Sequence, residues 1–318
     1  MHAIKTILRK ELADHFSSNR FVILFALIAM VSLITVYMAG LQIKKDLEGI
    51  AKPQFVFLMI FTSSGALFSL QQFVAFFGPL IGLILGFDTI NRERNEGTLS
   101  KLLSQPIYRD DVINGKFLAG VIIIAVMMIS IVLVITGLGL STLGVVPGVE
   151  ELWRIFIYLF ISIIYISFWL GIAILFSIVF RSVATSALAA LAVWIFFSFF
   201  VSLGASVLAS ALTPDAGSSN PEAVMRRATI ERAVSLTSPM ELYTGSTSTI
   251  IDPMRKTNRM FVQMGIMEQL SISRFAGPLP LGQSVIVVLP YIISMIAITI
   301  VCFAISYTVF MRQEIRSF

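Results

Sequence analysis

Six long apolar stretches, at residues 21–41, 73–87 with the residues just before them, 117–143, 153–180, 183–212 and 284–311, leave this chain few ways to fold. Hydrocarbon offers the backbone no hydrogen-bond partners, so a crossing segment must satisfy its own N–H and C=O groups, as a helix or in a closed barrel. Barrel strands would read as alternating segments of about ten residues. These runs are instead continuous, and long enough to cross roughly 30 Å of hydrocarbon at about 1.5 Å per residue. With hydrophobic residues at 57% and charged residues at 13%, the chain reads as an all-α polytopic membrane protein with six transmembrane helices in one domain, 1–318.

The second span is irregular. Apolar character already begins at Phe55, and one helix from there to Phe87 would be about 50 Å long, well past a bilayer. Gln71 and Gln72 interrupt the tract. Residues 55–70 therefore read as an outer-surface or re-entrant helix, with the crossing starting near the two glutamines. The alternative is two short crossings, which would reverse the sidedness of everything upstream.

Orientation follows from Lys and Arg in the short connections. With the N-terminus inside, the inner segments hold twelve of them, against Lys44, Lys45, Lys52 and Arg154 in the short outer ones. Both termini are expected in the cytoplasm, in a multi-pass protein of the cell (plasma) membrane. The net charge of +5 belongs to these flanks, and no nucleic-acid partner is expected. The first apolar run is longer than a signal core and no cleavage pattern follows it, so it is expected to stay as an anchor.

Several chemistries lack their residues. Cys302 is the only cysteine, and the only histidines, His2 and His15, precede the first span. Zinc sites, disulfides and Ser-His proteolysis are thereby excluded. No Asp or Glu lies within a span, and no phosphate-binding loop of the G-x-x-x-x-G-K-[ST] type occurs. A transporter built this way has neither an ion-coupling carboxylate nor its own motor, and needs a separate one.

The segment to receive it is 88–116, DTINRERNEGTLSKLLSQPIYRDDVINGK, a charged island between two spans. It holds five acids and five bases, whereas a helix lying flat on lipid would be rich in Lys and Arg. Leu99, Leu102 and Leu103 recur at helical spacing, and Asn95 reads as the cap of that helix, with Pro106 as its stop. Their apolar side needs a cover, and the cleft of a motor domain would supply it.

This island resembles the signature of type-2 ABC transporter permeases, roughly an acidic residue, then E-R-x-x-G-T-L-x-x-L-L-x-x-P, a basic residue and G-K. Glu93, Arg94, Gly97, Thr98, Leu99, Leu102, Leu103, Pro106, Arg109, Gly115 and Lys116 match. Where many relatives carry a second Glu, Asn95 stands and Glu96 follows it. The span order, the opening ILRKELADHFSSNRF and the ending FMRQEIRSF are similar too, nearest to the permeases of nitrous-oxide-reductase maturation. The resemblance implies a permease with no cofactor of its own, pairing with a second copy or a related permease and with cytoplasmic ATPase subunits that bind ATP and Mg. It carries coupling to the ATPase onto Glu93, Arg94, Gly97, Thr98, Leu99, Leu102 and Leu103. Export of a hydrophobic or amphipathic compound, lipid, peptide or maturation factor is the expected activity. The alternatives are transfer of motor work to an extracytoplasmic partner and a membrane scaffold that translocates nothing.

Three further features complete the reading. Within 1–20, Ile4, Ile7, Leu8, Leu12 and Phe16 share a face of an amphipathic helix, for which contact with inner-leaflet lipid alone is the favoured role and contact with the ATPase as well is the alternative. Gly78, Gly82 and Gly86, and Ser198, Ser202, Ser206 and Ser210, form small-residue ladders suited to close helix packing; the sharper expectation puts the serines on a dimer seam or translocation path. The outer loop 213–283 is expected to fold, with a helix from Pro221, a turn-rich link over SPMELYTGSTSTIIDP dipping toward the membrane, and a second helix at 260–272. Gating, substrate recognition and the docking of an extracytoplasmic protein are its candidate roles, beside that of a passive cap.

Overall fold

The computed structural model describes residues 2–48, 55–62, 69–104, 107–213, 221–253 and 278–313. Helix α1 (His2–Phe16) precedes the first span, α2 (Asn19–Asp46), which starts where Ser18 Oγ accepts from Arg20 N. A 3₁₀ turn (Val56–Leu58) leads into the single turn α3 (Met59–Thr62), and α4 (Leu70–Gly86) opens on a capping box between Ser69 and Gln72. The island forms α5 (Asn91–Asn95) and α6 (Thr98–Leu103). Next come α7 (Arg109–Leu143) and α8 (Val149–Val179), then α9 (Val183–Ile195), a π turn (Phe196–Phe200) and α10 (Val201–Leu212) as one span. Helices α11 (Pro221–Ser235), α12 (Pro239–Ile251) and α13 (Leu281–Arg312) follow. Among the described residues six helices are long and apolar enough to cross a membrane, and there is no strand.

Helix α8 is the axis of the bundle, packed against α4, α7, α9, α12 and α13. Its closest neighbour is α4, and the glycine ladder is the reason. A Cβ at Gly82 would lie 2.6 Å from Ile166 O and 2.7 Å from Leu170 N, and one at Gly86 would lie 2.7 Å from Ala173 Cβ. Gly78 faces Ile166 in the same seam. The ladder therefore serves intrachain packing, where dispersion between close backbones replaces the missing hydrophobic drive.

Two loop expectations change. The described part of 55–70 keeps only the re-entrant form of its expectation, not the surface one: Phe57, Ile60 and Phe61 are fully buried, and Gly139 of α7 makes room for Phe57 and Ile60. One crossing starts at Leu70, beside the two glutamines. The run expected as a turn-rich link is helix α12, of which eleven residues from Pro239 to Ile251 are buried. Ser, Thr and Gly favour turns because their short side chains compete for the backbone. Here the hydroxyls of Thr244, Ser246 and Thr247 donate to carbonyls three or four residues back, so they enter the core satisfied. Gln71 Nε2 donates to Thr244 O and Thr247 Oγ1, and Ser238 Oγ donates to Phe197 O within the π turn. The helix expected at 260–272 and the stop at Pro106 lie outside the described residues.

The end of the bundle far from the island is fastened by Arg154, which the sequence presents only as a flanking charge. It is fully buried. Its guanidinium donates to Glu150 Oε1 at 2.8 and 3.2 Å, to Ile250 O at 2.9 Å, to Leu279 O at 2.6 Å and to Ser284 Oγ at 3.3 Å. Its Cζ stands 5.4 Å from the Phe55 ring centroid. One side chain thus joins α8, the end of α12, the approach to α13 and the start of the 3₁₀ turn.

Two expectations follow for thermal unfolding in detergent. Gly82→Ala should destabilise by about 1–3 kcal/mol, the usual cost of overpacking, whereas Gly137→Ala, with nothing within 4 Å, should not lower the midpoint. Arg154→Ala should leave the carbonyls of Ile250 and Leu279 without partners, at about 1–3 kcal/mol each. Arg154→Lys, with three donors in place of five, should recover only part of that.

Candidate functional site

The island touches the near end of every span. Asp88, at the close of the second, pairs with Arg20 of the first at 2.6 Å. Ser177 Oγ of the fourth accepts from Ile90 N and Asn91 N at 2.9 and 3.1 Å. Asn91 Nδ2 donates to Ser182 O at the start of the fifth at 3.4 Å, and just before the island Phe87 O accepts from Ser186 Oγ at 2.8 Å. Arg94 donates to Gln313 Oε1 and Arg109 to Gln313 O, just past the end of the sixth. Both termini of the described bundle therefore lie at the island's end.

The third span joins through a buried ring of four charges. Lys116 Nζ lies 2.8 Å from Glu11 Oε1 and 2.9 Å from Glu93 Oε1, with 2% of its side chain exposed. Lys10 Nζ reaches the same two oxygens at 3.3 and 3.2 Å from a half-exposed position. Next to Lys116, a Cβ at Gly115 would lie 2.8 Å from Ile7 Cγ2, so α1 is seated on α7 by packing as well as by charge. The favoured role of α1, lipid contact alone, leaves out this attachment.

Burial opposes the Lys10 ammonium, but Glu11 and Glu93 outweigh it and raise its pKa above the ordinary 10.5. Burial also opposes the Glu11 carboxylate, yet Lys116 and then Lys10 hold its pKa below the ordinary 4.5. His15, one turn further along α1, shifts down from 6.5 by burial, against Glu11 and Asp88, and is neutral at pH 7. The formal charges of the four members, two cations and two anions, cancel.

The predicted coupling residues divide into inner and outer ones. Glu93 and Arg94 face inward, onto the ring and onto Gln313. Leu99 is fully buried and Leu102 half-buried, so the protein's own core covers the apolar side expected to fill a motor cleft; Leu103 lies in α6. Asn95 ends α5 instead of capping the next helix. Gly97 takes the left-handed conformation, φ +68°, that such a sharp turn requires. Arg92, Glu96, Gly97, Thr98 and Lys101 are exposed, and Arg92 Nε pairs with Glu96 at 2.9 Å. What the island presents outward is a polar turn.

The serine ladder differs in exposure along its length. Ser198 lies in the π turn with its hydroxyl buried and unpartnered, Ser202 and Ser210 are exposed, and Ser206 and Ser210 bond back to Leu203 O and Val207 O. Sequence reasoning missed Glu11, Lys10 and Gln313. Glu11 did carry a signal: it stands one turn after Ile7, on the face of α1 that packs inward.

A family model described as ABC-2 family transporter protein matches residues 5–315. The chain is 31% identical over 150 residues to the probable ABC transporter permease protein NosY of Pseudomonas aeruginosa, covering 47% of this chain and 49% of that protein. A protein of the same description from Stutzerimonas stutzeri is 31% identical over 153 residues, with the same shares. The chain spans about half the length of the curated relatives it matches.

The ring sets a pH window. Glu11 has a folded-state pKa below its unfolded value, so its contribution to stability is complete above pH 4.5 and lost as the pH falls through the lower folded value. Lys10 is the mirror case, complete below pH 10.5 and lost above it. The thermal midpoint should thus carry an acid-side slope that Glu11→Gln reduces.

Proposed function

Because the chain belongs to the ABC-2 family of transporter proteins, we propose that it is the membrane-spanning permease subunit of an ATP-driven exporter, worked by a separate cytoplasmic ATPase and paired with a second permease copy. The observation that carries this reading is the hub: one short segment continuous with the second and third spans and bonded to the ends of the other four, with an exposed polar turn at its tip. The ATPase grips the turn at Glu96–Gly97–Thr98, with Arg92 and Lys101 beside it. ATP and Mg are bound by that subunit, and its movement reaches the spans through the hub. The island's end faces the cytoplasm, which agrees with the excess of Lys and Arg there.

The cargo is a hydrophobic or amphipathic compound, lipid, peptide or maturation factor. The exposed side of α10, with Ser202, Leu203, Val207 and Ser210, suits the second copy, since small hydroxyl residues beside aliphatic ones let membrane helices approach.

The test is affinity purification of the tagged protein from its native membrane, with quantitation of the ATPase that co-elutes. Gly97→Val places a β-branched residue at a left-handed position. It should insert normally and recover at least about tenfold less ATPase, the loss expected for an interface hot spot. Recovery of no ATPase by the unaltered protein would remove the permease reading in favour of a scaffold, and undiminished recovery by Gly97→Val would move the docking contact elsewhere.

A further inference from the structure

We infer that Lys116 is a positioning residue of the transport cycle, the bearing on which the α5–α6 turn shifts against α7, and that α1 supplies half of this bearing through Glu11. The inference rests on the permease reading.

Stability alone does not account for a buried ionic ring. Apolar residues of similar volume usually serve as well or better, because the attraction between buried charges barely offsets the loss of their hydration. The ring does offer exchange of partners. Lys116 and Lys10 both reach Oε1 of Glu11 and Oε1 of Glu93, at distances between 2.8 and 3.3 Å. Two cations and two anions connected by four contacts can change partners with no charge left alone at any point. Glu93 also keeps a spare acceptor, for its Oε2 is buried and makes no hydrogen bond. A displacement of α5 can bring this oxygen to Lys116 as Oε1 leaves.

The three helices respond differently to such a displacement. Helix α1 is fixed to α7 by the contact of Ile7 with Gly115, so Glu11 and Lys116 move together. Glu93 belongs to α5 and moves with the turn. Its backbone carbonyl accepts from Thr98 Oγ1 at 3.2 Å, which couples the exposed turn to the ring within one residue. A fixed Glu11–Lys116 pair and a travelling Glu93 make a joint with two arrangements of similar energy, the kind of element through which coupling passes.

The test uses the complete complex with its ATPase in liposomes, read by hydrogen–deuterium exchange with and without MgATP and vanadate. One variant neutralises the ring at nearly constant volume: Lys10→Met, Glu11→Gln, Glu93→Gln and Lys116→Met together. It should fold with an undiminished thermal midpoint and retain the ATPase. Its nucleotide-dependent exchange at the outer helix Pro239–Ile251 should fall by about tenfold, within the range of measured couplings between sites, while the response at residues 91–104 persists. A second variant, Lys10→Glu, Glu11→Lys, Glu93→Lys and Lys116→Glu together, inverts every charge, keeps each cation between two anions and should restore the response. Should the neutral ring fail to fold, the swapped ring decides alone, and loss of its response overturns the inference. A neutral ring that folds and responds in full also overturns it and leaves the permease reading standing, as does an unaltered complex whose outer helix shows no nucleotide response. Absence of the ATPase from the unaltered complex overturns both.

Discussion

Lys116 has to find anionic partners inside the protein, because almost none of its side chain meets water. An isolated buried ammonium would lose its hydration with nothing in return, so two carboxylates must be brought to it from elsewhere in the chain. One comes from α1 and one from α5. That requirement places the N-terminal helix against the third span and turns the acidic side of the island inward. The remaining polar groups of the island then fall within reach of the other span ends, where Ser177, Ser182, Arg20 and Gln313 take them up. The charged end is thus organised from one desolvated lysine outward.

The middle of the bundle is held by a different force. Between α4 and α8 there is no charge to satisfy, and lipid competes equally for every apolar side chain, so contact area at short range decides the pairing. Glycines at 78, 82 and 86 remove the side chains that would keep the two backbones apart. The aromatic stack of Tyr165 on Tyr243 and the bond from Tyr165 OH to Ala75 O continue the same seam toward α12. A seam built on backbone contact cannot yield by rotamer changes.

Much of this was legible in the sequence, for physical reasons. Hydropathy is a property of single residues summed over a window, so all six spans could be read, and charge density alone set 88–116 apart from the apolar runs. The ladder of glycines announced close packing but not its partner. What stayed hidden depends on neighbours distant in sequence. Leu99 reads as a residue seeking a partner protein, yet the core of the same chain covers it. The Ser/Thr-rich stretch 244–249 reads as a link because its local preferences favour turns, and it becomes a helix because three surrounding helices reward burial of hydroxyls that bond to their own backbone. Arg154 was read as a vote on sidedness, since nothing within α8 shows that Ile250, Leu279 and Ser284 converge on it.

The two ends therefore differ in the kind of bond that closes them, and the difference has mechanical consequences. At the hub the ties are ion pairs with shared oxygens, whose energy changes slowly with angle and whose partners are interchangeable. At the far end Arg154 meets two backbone carbonyls and a carboxylate through a planar, directional fork, where a small rotation breaks several bonds together. On the proposed reading, a push on the exposed turn would meet interchangeable ties first and the directional Arg154 cluster last, so the far end would answer only when several bonds give way together.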